Sequence, residues 1–221
     1  VSVAAQQVAV NSRKARVSLD AMLTLDSREW ARAEAVRAAL EPTPMERQPS
    51  AYVRRAWRDR RRSDITEVEV SSLTGTKAVA VRLEWAAPRP SRRISDINVY
   101  ADACAVLFPS DGVNLAHDTM GSEEHPVEAW HWRAGTDDPF VITATGVGTA
   151  QREDEHAVVV AAAWETGRWQ VVFARELTGD GVPLAHGTHV PVAFAVWSGV
   201  AGERAGLKSV SPLAEELVVG G

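Results

Sequence analysis

A single cysteine, Cys104, stands in a chain of 221 residues. That excludes an intrachain disulfide, a cysteine-ligated zinc or iron–sulfur site, and covalent haem attachment through a Cys-x-x-Cys-His motif. No apolar run reaches the length of a membrane-crossing helix, so no membrane span is expected. Charge of one sign is also lacking: 24 basic residues stand against 29 acidic ones, a net −5, and nothing suggests nucleic acid as a partner. Repeats, heptads and a P-loop are absent. Gly146 and Gly148 in "TGVGTAQRED" belong to a polar loop and carry little phosphate signal. No catalytic triad or paired-carboxylate motif is legible.

What is present reads as strand. In "KAVAVRLEW" (77–85), Val79, Val81, Leu83 and Trp85 alternate with Ala78, Ala80, Arg82 and Glu84. "INVYADACAVLF" (97–108) is long and rich in small residues. "HAVVVAAAWETGRWQVVFARE" (156–176) reads as two strands joined at Thr166-Gly167, and "HVPVAFAVWSG" (189–199) as another buried strand. "EELVVGG" closes the chain. The spacing predicts an all-β fold: one two-sheet β-sandwich domain over 1–221 with short helical insertions. One such insertion is "DSREWARAEAVRAAL" (26–40), with an Asp or Ser cap and Glu29 placed for a capping box; an irregular strand suits the same residues.

"RRAWRDRRR" (54–62) packs six arginines into nine positions. It reads either as a solvated insertion or as a docking patch for an acidic partner or haem propionates, since Arg makes bidentate carboxylate contacts. The six histidines are scattered, and in "HGTH" (186–189) Gly187 and Pro191 deny the i, i+3 pair a helix.

Met120 is out of place. "HDTMGSEEHPVEAWHWRA" (117–134) puts a thioether in a polar turn with no stripe to hide it. An exposed methionine is usually incidental; the alternative is that its sulfur ligates a soft metal. Late in the chain, Lys208 precedes "SVS" after a glycine-rich turn. Taken together, "VRLEW" (81–85), "ADACAVLFP" (101–109), "MGSEEHPVEAWHWRA" (120–134), "GRWQVVFARELTG" (167–179) and "FAVWSGVAGERAGLKSVS" (194–211) resemble the haem b-binding gamma subunits of periplasmic complex iron–sulfur molybdoenzymes. That family includes the gamma subunits of ethylbenzene dehydrogenase, dimethylsulfide dehydrogenase, selenate reductase and chlorate reductase.

The resemblance implies one non-covalent haem b, held between loops at one end of the sandwich, with Met120 and Lys208 as axial ligands. It also implies a catalytic alpha subunit with a molybdenum–pterin cofactor, an iron–sulfur beta subunit, a soluble cytochrome c as electron partner, and a periplasmic location. Electrons would pass through this chain, which would do no substrate chemistry itself. Trp130, Trp132 and Trp197, with Phe194 or Phe108, are expected to wall the haem pocket, and Arg133 to meet a propionate. A carbohydrate- or ligand-binding module with exposed tryptophans as stacking platforms is the competing reading. A cupin-like metalloenzyme using histidines is a third.

Overall fold

The computed structural model describes residues 6–60, 62–94 and 96–220. The first half forms strands β1 (Ala9–Asn11), β2 (Arg13–Lys14), β3 (Val36–Ala39), β4 (Glu41–Pro42), β5 (Glu67–Thr74), β6 (Ala78–Ala86) and β7 (Ala103–Pro109). The second half forms β8 (Val127–Arg133), β9 (Phe140–Ala144), β10 (Gln151–Arg152), β11 (Val159–Glu165), β12 (Arg168–Glu176), β13 (His189–Trp197), β14 (Ser209–Val210) and β15 (Glu215–Val218). Helices α1 (Leu19–Met22), α2 (Arg28–Arg32) and α3 (Ala51–Trp57) are short.

The strands build two sheets. The larger runs β1-β15-β13-β7-β8-β9-β10, with β14 pairing β13 and β4; the smaller runs β11-β12-β6-β5-β2, with β3 on β5. Their inner faces meet in one core, as the alternation along 77–85 predicts: Val79, Val81, Leu83 and Trp85 face Cys104, Val106, Phe108, Trp130, Trp132 and Phe194. The expected hairpin is there, β11 against β12, turning through Thr166 and Gly167 at positive φ.

The other face of the smaller sheet is covered too. Ala78, Ala80, Val172 and Ala174 carry α1 and α2 through Met22 and Trp30, both fully buried. The Trp30 indole N–H donates to the Met22 carbonyl at 2.8 Å, and the Arg82 guanidinium lies over its ring. Each such large side chain contributes about 1.5–3 kcal/mol by leaving water. Segment 26–40 therefore splits: a helix ends at Arg32, and β3 takes up the remainder. The capping box does not form, because Ser27 is the N-cap and Glu29 pairs with Arg13 and Arg32.

Asp102 ties the start of β7 to its surroundings. Its buried carboxylate accepts from the amides of Ser91 (2.7 Å) and Gly199 (2.8 Å) and from the Trp169 indole (2.9 Å). Desolvation raises its pKa, opposed by these donors. Asp102→Ala leaves three buried donors unpaired, each worth about 1–3 kcal/mol. The expected result in urea denaturation is a midpoint loss comparable with a large core truncation; an unchanged midpoint would remove this role.

Candidate functional site: a cavity on the outer face of the larger sheet

Strand alternation places a second set of side chains on the larger sheet's outer face. Ala103, Ala105 and Leu107 of β7, Ala129, His131 and Arg133 of β8, Ile142 of β9, and Ala193, Ala195 and Trp197 of β13 point away from the core. Five of these are alanines, so the sheet offers a flat apolar floor. Above it lies a cavity of about 650 Å³, of a size that takes cofactors. The small-residue run read as strand over 97–108 forms one only from Ala103, with a core face (Cys104, Val106, Phe108) and a cavity face (Ala103, Ala105).

Loops wall the floor. One carries Met120, which follows the 3-10 turn His117–Thr119 in the left-handed region at φ 56°. A non-glycine residue there costs energy and is commonly kept where function fixes it. The turn is held by the Gly121 amide on the Ala116 carbonyl (2.8 Å) and the Gly146 amide on the Met120 carbonyl (3.0 Å). Gly121 must be glycine: a Cβ would sit 2.6 Å from the Ala144 carbonyl oxygen.

The second wall is the loop leading into β14. Glu203 is buried at its centre, accepting from the amides of Ser198 (2.9 Å) and Ser63 (3.2 Å) beside the Arg62 guanidinium. The Trp197 indole holds the Ala205 carbonyl (2.9 Å) and the Gln48 amide holds that of Gly206 (2.6 Å). The Lys208 carbonyl accepts from the Thr43 amide (2.8 Å) and from Arg62 (3.1 Å). With its backbone pinned, the Lys208 side chain projects into the cavity.

There the two loops meet. Lys208 Nζ lies 3.6 Å from Met120 Sδ and 4.9 Å from the centroid of the Trp197 ring. The residue is partly covered, but its amine is enclosed by apolar atoms, and desolvation lowers its pKa to about 8. His131 stands beside it, edge-on to Trp197 at 5.1 Å. Burial first, then the charges of Lys208 and Arg133, lower the His131 pKa to about 4, so its ring is neutral at physiological pH. Its Nδ1 is buried and has no hydrogen-bond partner among the described residues.

Of the residues singled out in the sequence, Met120, Lys208, Trp197 and Arg133 line this cavity, Arg133 at an exposed position over the Phe140 ring. Trp130 and Trp132 do not. They project from the opposite face of β8 into the sandwich, where the Trp130 indole donates to Glu128 (2.8 Å) and Trp132 packs edge-on to Trp169 at 4.9 Å. The correction follows from strand geometry, since Trp132 and Arg133 are consecutive and cannot share a face. Phe108 lies in the core against Trp130, and the Phe194 side chain also belongs to the core although the residue borders the cavity. Trp130→Ala is expected to destabilise the fold by about 3–5 kcal/mol. Trp197→Ala should instead leave most of the stability and open the cavity wall. Denaturation midpoints compared with ligand-dependent spectra of the two variants would separate these roles, and equal effects on both readouts would contradict the assignment.

The sequence did not single out His131 from the other histidines, nor Arg47, which lines the cavity and pairs with Asp118 (2.8 Å), nor the alanine floor. The signal for His131 was available: if Trp130 and Trp132 face the core, the residue between them faces away. A second signal is composition, for the chain has only three lysines, Lys14, Lys77 and Lys208, and one of them is enclosed.

Three arginines of the run have different partners. Arg54 bonds the Gln48 and Pro49 carbonyls, Arg60 stacks on Trp57 and reaches Asn98, and Arg62 braces the Lys208 loop. Arg61 lies outside the described residues. No tryptophan is exposed as a stacking platform: seven of the eight are buried, and Trp164 is partly buried with its indole bonded to the Ala87 carbonyl. No group of three His, Cys, Asp or Glu side chains placed to hold a metal occurs among the described residues. Among the same residues no helix is long and apolar enough to cross a membrane.

The fold is shared with solved structures, among them the following two. A family 9 carbohydrate-binding module from Caldicellulosiruptor kristjanssonii in complex with glucose matches with a TM-score of 0.50 and 9% identity, covering 96% of each chain. A Bacteroides uniformis protein titled "a putative carbohydrate-binding protein" matches with a TM-score of 0.53 and 7% identity, over 97% of this chain and all of that one. Sequence relatives point elsewhere. A Haloferax mediterranei protein named "Putative respiratory nitrate reductase heme subunit ORF7" is 37% identical over 152 residues, 67% of this chain and 55% of its own. The dimethylsulfide dehydrogenase gamma subunit of Rhodovulum sulfidophilum is 32% identical over 59% of this chain and 52% of its own. The chlorate reductase gamma subunit of Ideonella dechloratans is 31% identical over 59% of this chain and 56% of its own. The chain thus spans about half the length of the curated relatives it matches. The profile of the family described as ethylbenzene dehydrogenase matches residues 27–158, a span that takes in the arginine run and Met120 and stops before Lys208. That match covers more than half of the sequence, and the chain belongs to the ethylbenzene dehydrogenase family.

Proposed function

We propose that this chain is a haem b-binding electron-transfer subunit of a molybdenum oxidoreductase, in which Met120 and Lys208 would hold the haem iron. The observation that carries the reading is the approach of Lys208 Nζ to Met120 Sδ, 3.6 Å apart over an apolar floor. A carbohydrate site requires neither group. The residues suit the cofactor: a soft neutral sulfur faces an amine that burial has already primed to lose its proton, and the alanine floor admits a flat ring.

When bound, haem b would supply a one-electron iron couple. The rest is done by this chain. Met120 offers a neutral thioether, a donor that favours ferrous iron and raises the potential. Lys208 presents its amine once the ammonium proton has left, and apolar walls make that loss easier. Trp197 and the alanines would keep water from the site, and Arg133 at the rim would meet a propionate. Its partners would be a catalytic subunit with a molybdenum–pterin cofactor, an iron–sulfur subunit and a soluble cytochrome c, in the periplasm.

Purifying the chain with whatever co-elutes tests this. The expected result is a Soret band, iron in step with protein, and a larger partner containing molybdenum, with no turnover of chlorate, selenate or dimethylsulfide by the isolated chain. A colourless chain that binds glucose or cello-oligosaccharides would replace this reading with the carbohydrate one.

A further inference from the structure

Charge is distributed unevenly around the cavity. Residues 45–62, 89–100 and 198–208, which together supply much of its wall, hold half of the chain's 24 basic residues and only four of its 29 acidic ones. The remainder of the chain is therefore strongly acidic.

The arginines also differ in how they are held. On the smaller sheet and its helices most pair with carboxylates: Arg13 and Arg32 with Glu29, Arg37 with Glu67 and Glu69, Arg82 with Glu84, Arg168 with Glu69, while Arg175 donates to the Asp180 and Val182 carbonyls. On the segments that wall the cavity, and at Arg133 beside its floor, the partners are mostly neutral. Arg54 donates to carbonyls, Arg60 to the Asn98 amide oxygen, Arg133 lies over Phe140, and Arg204 lies over Tyr100 at 4.5 Å. No carboxylate pairs with these four among the described residues. Of the nearby acids, Asp118 and Glu203 are taken up by Arg47 and Arg62.

The same segments expose apolar side chains. Tyr52 is 81% exposed, Ile97 80% and Ile94 60%, Val200 is open as well, and Val147 on a separate loop of the cavity wall is also exposed. Arginine with aromatic and aliphatic residues, and no exposed lysine, is the composition of a protein-binding surface rather than of ordinary solvated surface.

We propose that the mouth of the cavity is the docking face for a soluble electron-carrying protein whose own face is rich in carboxylates. This rests on the electron-transfer reading above and specifies its partner. Charge complementarity selects the sign: unbalanced arginines steer an acidic surface in and repel a lysine-ringed one. The small number of exposed apolar groups, spread among charges, fits a transient encounter better than a permanent subunit contact, which is larger and more hydrophobic. In the exchange the chain's ferrous iron would lose one electron and the carrier's oxidised metal centre would gain it.

The test compares two carriers as probes, a blue-copper protein with an acidic face and a cytochrome c with a lysine ring. Stopped-flow oxidation of the reduced haem-loaded chain is followed at rising salt. Two double variants are compared, Arg60→Glu/Arg204→Glu at the mouth and Lys14→Glu/Lys77→Glu on exposed residues remote from it, which change net charge equally. The expected result is faster reaction with the acidic carrier, a rate that falls with salt, and a loss of about tenfold in the mouth variant alone. Equal slowing by both variants, or faster reaction with the lysine-ringed carrier, would overturn the proposal. So would mouth-dependent self-association, or capture by anionic vesicles that the acidic carrier does not compete for. If the chain shows no Soret band the electron-transfer reading fails on its own, and titration of the cofactor-free chain with the same two proteins still decides the docking face.

Discussion

Lys208→Leu is expected to give a cofactor-free chain more stable than the native one, and a chain that no longer holds haem in six-coordinate form. The first effect comes from burial. At neutral pH the native amine is charged within apolar walls, with its pKa lowered from 10.5 to about 8. Below about pH 8 the folded and unfolded chains both carry the proton. Between about 8 and 10.5 only the unfolded chain does, so the native cofactor-free protein gains stability as pH rises through that window. The gain amounts to roughly 1–3 kcal/mol after allowance for partial solvent access. Leucine removes the buried charge, so the variant starts higher and its stability is flat across the same range. Denaturation midpoints at pH 7 and pH 10 check this. A variant less stable than the native chain at pH 7 would show that the lysine is not held at a cost.

That sign is informative about selection. A residue whose charged form weakens the fold is retained for something the folded chain does. With haem bound, the amine must be neutral to donate, and a pKa near 8 leaves little proton affinity to overcome at pH 7. Acidification should restore the competition and release the amine, changing the spectrum of the native holoprotein while leaving that of Lys208→Leu unmoved.

Met120→Gly is the second large effect. Glycine takes φ 56° without strain, so relief of the backbone should offset the loss of a half-buried side chain, and the melting temperature should stay within a few degrees of native. The cofactor should nevertheless be lost or have a markedly lower reduction potential, since the thioether that favours ferrous iron is gone. A stable variant with unchanged potential would remove Met120 from the ligand pair.

The fold was largely legible because its strands obey a period of two and its turns carry glycine, as in the Thr166-Gly167 hairpin. Segment 26–40 was legible only in part. Its spacing suits a helix and a strand equally, and it becomes a helix then a strand because Trp30 is drawn onto Ala78 and Ala80 of the smaller sheet while Val36–Ala39 pair with β5. For the site, Met120 stood out by being apolar in a polar turn, and Lys208 by its context. Their meeting across 88 positions of sequence depends on β13 lying between β14 and β7, which no local pattern encodes. The tryptophan error was of another kind. Aromatic size drew attention to Trp130 and Trp132, whereas the cavity is made where side chains are small, and alanine at Ala103, Ala105, Ala129, Ala193 and Ala195 gives no signal until its face is known.

In the proposed function, an amine and a thioether from these two loops hold the same metal. It is tested most directly by the electron paramagnetic and optical spectra of the oxidised haem-loaded chain at neutral pH, taken for the native protein, Lys208→Leu and Met120→Gly. The expected result is a six-coordinate low-spin signal in the native chain that is lost in both variants, and lost in the native chain on acidification. A native signal that persists unchanged in both variants at every pH would mean that other side chains, His131 first among them, ligate the iron.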